Sequence, residues 1–103
     1  MLTVIETPEF LTWYPQVWSD GERDEFVAWI ADNPEAGEII PQTRGLRKVR
    51  WTRAGMGKRG GARVIYFVRN REGHVVLLLV YAKAKFDTLR PEFLRLLKEK
   101  YDV

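Results

Sequence analysis

Hydrophobic side chains in the first third of the chain recur with the spacing of helices. Residues 8–18 predict a first helix, in which Pro15 should cause a kink or an early end. Residues 20–32 predict a second helix, because Ser19 and Glu22 form the pattern of a capping box just before its apolar face. The N-terminal part of the chain is therefore expected to be largely helical.

In the middle of the chain the hydrophobic period changes to two, which is the period of a strand. Three strands are predicted over residues 46–53, 62–68 and 75–82, with a hairpin turn at residues 70–73 between the last two. An amphipathic helix is predicted over residues 89–100. The side chains expected to face inward from this helix are Leu89, Phe93, Leu96 and Leu97.

A strand over residues 1–6 and a loop over residues 35–45 complete the predicted order of elements. Strands joined by hairpins run antiparallel, and helices on one side of such a sheet give an α+β domain. A chain of 103 residues with 46% hydrophobic content can form one core of this kind. We therefore expect a single domain over residues 1–103, with a small antiparallel sheet, two N-terminal helices and a C-terminal helix.

Composition excludes several kinds of site. The chain has no cysteine, so it can form neither disulfides nor cysteine-based metal or nucleophilic sites. His74 is the one histidine, which excludes a site that needs two, and we expect it at the surface. No metal or cofactor is expected. The start of the sequence lacks a signal-peptide pattern and no apolar run is long enough to cross a bilayer, so we expect a cytoplasmic protein.

Charge is sorted along the chain. Residues 44–71 contain ten basic side chains and no Asp or Glu, whereas residues 1–43 contain nine acidic side chains and one basic one. The ten basic residues are Arg44, Arg47, Lys48, Arg50, Arg53, Lys58, Arg59, Arg63, Arg69 and Arg71. A concentrated positive segment repels itself and is typical of a protein with an anionic partner. The alternative is a solvated basic face without such a partner.

The basic segment could also carry chemistry on RNA. Cleavage beside a 2′-hydroxyl needs a group that takes its proton, a group that neutralises the phosphorane and a group that protonates the leaving 5′-oxygen. Lys48 and Arg50 share one face of a predicted strand, and a hairpin can bring Arg63 opposite them. Lys83 and Lys85 close the third strand. Arginine suits phosphate because its planar fork donates two hydrogen bonds at once. The segment itself offers no carboxylate or histidine.

Each of these features has an alternative interpretation. Lys48 and Arg50 could be solvent-facing residues of a half-exposed strand. The loop of residues 57–61 could be a flexible basic turn or a nucleotide cradle, although it lacks the spacing and the Ser/Thr of a P-loop. Trp51 could stack on a base or lie in the core. Three further tryptophans are candidates for the core or for a partner interface: Trp13, Trp18 and Trp29.

Three segments of the chain resemble a known family. They are Gly45-Leu-Arg-Lys-Val-Arg-Trp51, Gly57-Lys-Arg-Gly-Gly-Ala-Arg-Val-Ile-Tyr66 and Leu78-Leu-Val-Tyr-Ala-Lys83. In these segments the chain is similar to the RelE/HigB superfamily of toxins of bacterial type II toxin–antitoxin systems, and most of all to its HigB-like branch. The similarity extends over essentially the whole chain. It implies a small antiparallel sheet with helices, as the hydrophobic pattern does.

The resemblance also implies an active site on the central strands. The implied catalytic residues are Lys48, Arg50, Arg63 and Lys83, and those expected to contact RNA or the ribosome are Arg47, Arg53, Lys58, Arg59 and Lys85. Two positions depart from the family's pattern. Arg50 stands where the family has a second lysine, and arginine is a poor proton acceptor. RelE has a C-terminal tyrosine that stacks on the base, and residues 87–90 contain none, so Phe86 is the candidate for that role.

The function that the resemblance implies is that of a ribosome-dependent endoribonuclease, or mRNA interferase. Such an enzyme cuts translated mRNA in the ribosomal A site and inhibits translation. Its expected partners are mRNA, the ribosome with its rRNA, and a cognate antitoxin, without a membrane. The alternative is a non-nucleolytic ParE-like toxin or a basic nucleic-acid-binding module. The first function requires the basic surface, whereas the alternative is merely compatible with it.

Overall fold

The structure, a computed structural model, describes residues 2–51, 61–82 and 89–102. Within these residues it contains five strands and three α-helices. In chain order they are β1 (Thr3–Glu6), α1 (Pro8–Trp13), α2 (Asp20–Asp32), β2 (Glu38–Ile39), β3 (Arg47–Trp51), β4 (Ala62–Arg69), β5 (His74–Ala82) and α3 (Pro91–Tyr101). The predicted α+β class is confirmed.

The five strands of the described residues form one sheet in the order β1-β5-β4-β3-β2. β3, β4 and β5 are antiparallel neighbours, which confirms the predicted central sheet as far as the structure describes it. The sheet is mixed, however, because β1 pairs in parallel with β5. The loop predicted over residues 35–45 contains β2, which adds an antiparallel edge beside β3. A strand of two residues is too short to leave a periodic signal in the sequence.

Local signals set the ends of α1. The Thr7 side chain accepts a backbone N–H of the first turn, and Pro8 occupies the first helical position. Pro15 has no N–H to donate to the carbonyl four residues earlier. The helix therefore ends at Trp13 and a 3₁₀ turn, Tyr14–Gln16, follows it. The early end predicted from the proline is confirmed.

The capping box predicted at the start of α2 is present. The Ser19 N–H donates to Glu22 Oε1 at 2.9 Å, and the Glu22 N–H donates to Ser19 Oγ at 3.2 Å. The helix has the boundaries predicted from the sequence. Its buried residues are Phe26, Ile30 and Ala31, and the first two pack in the core cluster on the sheet.

The two faces of the sheet pack against different helices. On one face, which we call the α1–α2 face, α1 and α2 cover a cluster that includes Val64, Tyr66 and Leu77. On the opposite face, the α3 face, α3 covers a cluster that includes Ile65 and Phe67. The helices thus lie on both sides of the sheet and not on one. The reason is that β4 and β5 carry apolar side chains on both faces, so the second face also needs a cover.

α3 packs on the sheet with a different stripe from the one predicted. Leu94 and Leu97 are buried, whereas Phe93 is 50% and Leu96 is 68% exposed. The prediction was right for Leu97 and wrong for Phe93 and Leu96. Apolar residues occupy two adjoining stripes of this helix, one residue apart, so the periodicity alone does not determine which stripe faces the sheet.

The C-terminal end of α3 is fastened to α1. Lys100 Nζ donates to Glu9 Oε2 at 2.8 Å, and the Tyr101 hydroxyl donates to Glu9 Oε1. Partial burial acts to raise the pKa of Glu9, but the hydrogen bonds from Lys100 and Tyr101 outweigh it and the pKa lies below its usual value. We call these three residues the helix clamp.

Candidate functional site

Three of the cations predicted as catalytic meet on the α3 face of the sheet. Alternation along β3 places Lys48 and Arg50 on this face, and Arg50 lies directly opposite Arg63 of β4. Directly opposite residues have Cβ atoms about 5 Å apart, and a diagonal pair such as Lys48 and Arg63 is separated by roughly 7–8 Å. The sequence-predicted residues that the structure describes on this face are therefore close enough to act on one group.

These side chains line an open cleft of about 420 Å³, which we call the cation cleft. Its described lining consists of Ala36, Glu38, Lys48, Val49, Arg50 and Arg63. Lys48 and Arg50 are exposed, and Arg63 is half-buried. Like charges directly opposite each other in a sheet are unfavourable. An anion that lies across both arginines relieves this repulsion, so the arrangement favours an anionic ligand.

The cation cleft also contains a carboxylate that sequence reasoning did not assign to it. β2 places Glu38 directly opposite Lys48 in antiparallel register, and both residues are exposed. In the sequence, Glu38 belongs to the acidic N-terminal segment. The neighbouring β-branched pair, Ile39 and Ile40, is the signal that could have indicated a short strand here.

Tyr66 fixes the loop that leads into β2. Its side chain is fully buried, and its hydroxyl donates to the Pro34 carbonyl at 2.8 Å and accepts the Gly37 N–H at 2.9 Å. Burial raises the pKa of Tyr66, so the hydroxyl keeps the proton that it donates. A Cβ at Gly37 would lie 2.9 Å from this hydroxyl and 3.0 Å from the backbone of Lys48, so a larger residue does not fit. The loop is thereby held directly before Glu38.

Arg47 lies on the opposite face of β3 from the cation cleft. Its guanidinium donates to the Gly37 carbonyl at 2.7 Å and to the Glu35 carbonyl at 3.4 Å. The structure therefore does not bring Arg47 together with Lys48 and Arg50. It places this side chain against the same loop that Tyr66 holds.

The tryptophans are divided between the core and the surface. Trp51 is half-buried, and its ring lies 4.8 Å from that of Trp29 and 5.5 Å from that of Phe26. Trp18 is 4% exposed in the same cluster. Both therefore belong to the core. Trp13 is half-buried and lines an apolar cleft of about 160 Å³, so it remains a candidate for a partner contact. The other residues of that cleft are Leu79, Tyr81, Leu89 and Phe93.

Two further cations, Arg69 of the basic segment and Lys98 of α3, lie at the opposite end of β4. Arg69 Nε is 3.9 Å from Asp102 Oδ1, and Lys98 Nζ is 2.7 Å from Asp102 Oδ2. The same two cations lie over the Phe67 ring, 5.7 and 5.2 Å from its centroid. We call Arg69, Lys98 and Asp102 the hairpin cluster. Both cations contact the one Asp102 carboxylate.

Several predicted site residues lie outside the described residues. They are Arg53, Lys58, Arg59, Lys83 and Lys85. Phe86, the candidate for stacking on a base, also lies outside them. The roles assigned to these six positions stay predictions.

Within the part of the chain that the structure describes, no group of three or more His, Cys, Asp or Glu residues could hold a metal ion. None of the helices in that part has the length and apolar character needed to cross a membrane. His74 is half-buried at the start of β5.

No protein-family model matches the chain. Among solved structures, it is similar to that of the E. coli toxin RelE, determined as an arginine double mutant in the free state. The similarity has a TM-score of 0.60 and covers 84% of this chain and 87% of that chain, at 14% sequence identity. The fold is RelE-like. At this identity the likeness is one of fold, and the HigB-like branch stays a prediction from the sequence motifs.

Proposed function

We propose that this protein is the toxin of a type II toxin–antitoxin system and acts as a ribosome-dependent endoribonuclease. The observation that carries the proposal is the meeting of Lys48, Arg50 and Arg63 in one open cleft of a RelE-like fold. The E. coli protein with this fold is a toxin. The motifs of the central strands favour the HigB-like branch, with one toxin domain over residues 1–103.

The proposed roles follow from the chemistry of the side chains. Arg50 and Arg63 extend from adjacent strands and bind the scissile phosphate, where they stabilise the charge that develops on the phosphorane. Lys48 carries a transferable proton and lies within reach of the same phosphate, so it can protonate the leaving 5′-oxygen. Lys83 is the fourth proposed catalytic residue. The proposed RNA-contacting residues are Arg53, Lys58, Arg59 and Lys85, whereas Arg47 acts by holding the loop before β2.

Dependence on the ribosome follows from the openness of the cation cleft. Cleavage needs the 2′-oxygen, the phosphorus and the 5′-oxygen in line, and an open cleft of cations binds a phosphate without fixing this geometry. An A site that holds the mRNA supplies the orientation, which can account for a large part of the rate. We therefore propose mRNA on the ribosome as the substrate and inhibition of translation as the result. The proposed location is the cytoplasm, where mRNA is translated.

A cognate antitoxin is the second proposed partner. It can silence the toxin by covering the cation cleft. Alternatively, it can bind to the N-terminal helices and make the complex too large to enter the A site. The half-buried Trp13 and the apolar cleft beside it favour a contact that includes α1. Trp18 cannot contribute to such a contact, because it is buried in the core.

Expression in cells tests the proposed function. Induction of the wild-type chain should arrest growth and produce new 5′ ends within translated mRNAs. In a purified system, mRNA should be cut when a ribosome holds it with an open A site and should be cut weakly or not at all when it is free. The Arg63→Ala variant, at equal expression, is the control for activity that does not come from this protein.

Two outcomes would contradict this proposal. Growth arrest without new 5′ ends would favour the non-nucleolytic ParE-like toxin. Equal cleavage of free and ribosome-bound mRNA would remove the dependence on the ribosome while leaving the nuclease activity in place.

A further inference from the structure

The proposed nuclease needs a group that accepts the proton of the 2′-hydroxyl, and the cations of the cleft are poor acceptors. Among the described residues that line the cation cleft, Glu38 is the one carboxylate, and no histidine lies there. We propose that Glu38 is a catalytic residue and that it takes the 2′-hydroxyl proton. This inference rests on the proposed function and assigns the general base of the proposed cleavage reaction.

The fold brings Glu38 to the cleft in a defined position. In the register of β2 and β3, Glu38 lies directly opposite Lys48, so the two side chains share one face with Cβ atoms about 5 Å apart. The residue before it, Gly37, is held through its N–H by Tyr66 and through its carbonyl by Arg47. A carboxylate that is placed by both a sheet register and an anchored loop is preorganised for proton transfer.

The negative charge of Glu38 provides a test of its proposed role, because removing it should change the cleavage rate in opposite directions with and without that role. A carboxylate beside a phosphate-binding site repels the phosphate, so an acidic residue with no chemical role weakens binding of RNA. Removal of its charge would then leave the activity unchanged or increase it. If Glu38 is the base, the same change abolishes cleavage although it strengthens binding. The two explanations therefore predict opposite effects of one substitution on the rate.

The proposed reaction is balanced by the pair Glu38 and Lys48. The 2′-O–H bond breaks, its proton moves to a carboxylate oxygen of Glu38, and the 2′-oxygen forms a bond to phosphorus. The P–O5′ bond breaks, and the 5′-oxygen takes a proton from the Lys48 ammonium group. The products are a 2′,3′-cyclic phosphate and a 5′-hydroxyl. A proton transfer from the Glu38 carboxylic acid to the Lys48 amine, its neighbour in the register, restores both groups.

The first experiment compares Glu38→Gln with Glu35→Gln in single-turnover cleavage of mRNA held on ribosomes with an open A site. Glutamine keeps the size of the side chain, carries no charge and cannot act as the base. The expected loss for Glu38→Gln is about 10²- to 10⁴-fold in rate, which is the usual contribution of a general base, with equal or tighter binding of the RNA. Glu35→Gln makes the same change of charge three positions away at an exposed site and should leave the rate unchanged.

A second experiment separates the base from the acid. Sulfur in place of the bridging 5′-oxygen leaves as a thiolate, which does not need a proton from the enzyme. The Lys48→Ala variant should therefore recover most of its rate on mRNA with this linkage, whereas Glu38→Gln should not. Recovery of Glu38→Gln would show that this carboxylate does not act on the 2′-hydroxyl.

The inference and the proposed function fail in different ways. A Glu38→Gln protein that cuts ribosome-bound mRNA as fast as the wild type would overturn the role of Glu38 and leave the nuclease intact. A wild-type protein that cuts no mRNA under any of these conditions would overturn the proposed function itself. Unfolding in urea, compared between the two Gln variants, excludes a general loss of structure as the reason for a lower rate.

Discussion

The two ends of β4 carry similar charges and differ in what surrounds them. At its start, Arg63 faces Arg50 across the sheet and lies near Lys48 in the cation cleft. At its end, Arg69 is paired with Asp102 and lies over the Phe67 ring. Both arginines belong to the same run of basic residues in the sequence. Basic residues of one segment therefore lie in different surroundings, and their tertiary contacts determine which.

The two ends of β4 differ because α3 covers one of them. This helix packs over Ile65 and Phe67, in the middle of β4, and its last turn brings Lys98 and Asp102 to the hairpin cluster. None of its residues is among the described lining of the cation cleft. One end of the strand thus lies beside the last turn of α3 and the Asp102 carboxylate, and the other end borders the cation cleft.

The largest expected effect separates the two ends by activity. Arg63→Ala and Lys48→Ala should each remove about 2–4 kcal/mol of transition-state stabilisation, as the loss of one preorganised donor does elsewhere. Arg69→Ala removes an equal charge from the same strand and should leave cleavage near the wild-type rate. Growth arrest at equal expression and cleavage of ribosome-bound mRNA are the measurements. Full toxicity of both cleft variants would show that the open end of β4 is not the site.

A smaller effect is expected when the Tyr66 hydroxyl, which holds the loop before β2, is removed. Tyr66→Phe leaves the Pro34 carbonyl and the Gly37 N–H without their partner in a buried place, which should lower the free energy of unfolding by about 1–3 kcal/mol. Cleavage should also slow, because the loop then holds Glu38 less firmly. Urea unfolding and the cleavage rate are measured together.

Tyr14→Phe is the matched control for this prediction. The Tyr14 hydroxyl donates to Asp20 Oδ1 at 2.7 Å in an exposed place, where water can replace the lost partner. Its loss of stability should be smaller and its cleavage rate unchanged. If both Phe variants cut equally well, the Tyr66 anchor would have no part in placing the site.

These contrasts also show how much of the molecule its sequence predicts. The periodicity of β3 and the capping box of α2 are local signals, and the structure confirms both. Glu38 was missed because a two-residue strand has no period, and its partner Lys48 belongs to another segment. The pairing of Arg69 with Asp102 joins positions far apart in the chain, and no local pattern encodes it. The sequence thus indicated the cations of the site, and the fold selected among them.

A third prediction concerns the two cations that contact Asp102 at the end of β4. Asp102→Asn removes the anion that both Arg69 and Lys98 contact, so these cations become available to phosphate. Affinity for single-stranded RNA should rise slightly. The slope of log affinity against log salt concentration should become steeper, by an amount that corresponds to about one to two more released counterions. Binding at several NaCl concentrations gives the slope. Asp32→Asn, at an exposed position at the end of α2, is the control and should leave it unchanged. An equal slope in all three proteins would mean that pairing with Asp102 is not what distinguishes the two ends.

The smallest expected effect comes from the helix clamp, in which Lys100 and Tyr101 at the end of α3 contact Glu9 of α1. The lowered pKa of Glu9 means that its contribution to stability is complete above the ordinary value of 4.5 and is lost as the pH falls through the folded-state value. The hydrogen bond to Glu9 raises the pKa of Lys100, and burial with the same bond raises that of Tyr101. Their contributions are complete below the ordinary values of 10.5 and 10.0 and are lost as the pH rises further.

Glu9→Gln should therefore lower the free energy of unfolding by a modest amount that is constant between these limits and shrinks on both sides. Urea unfolding across this pH range measures the difference from the wild type, and Glu99→Gln, at an exposed carboxylate on α3, is the control. Cleavage of ribosome-bound mRNA should be unchanged at neutral pH, since the clamp lies beside the hairpin cluster and the cation cleft does not contain it. A loss of cleavage larger than the loss of stability would show that the two ends of β4 are coupled through α3.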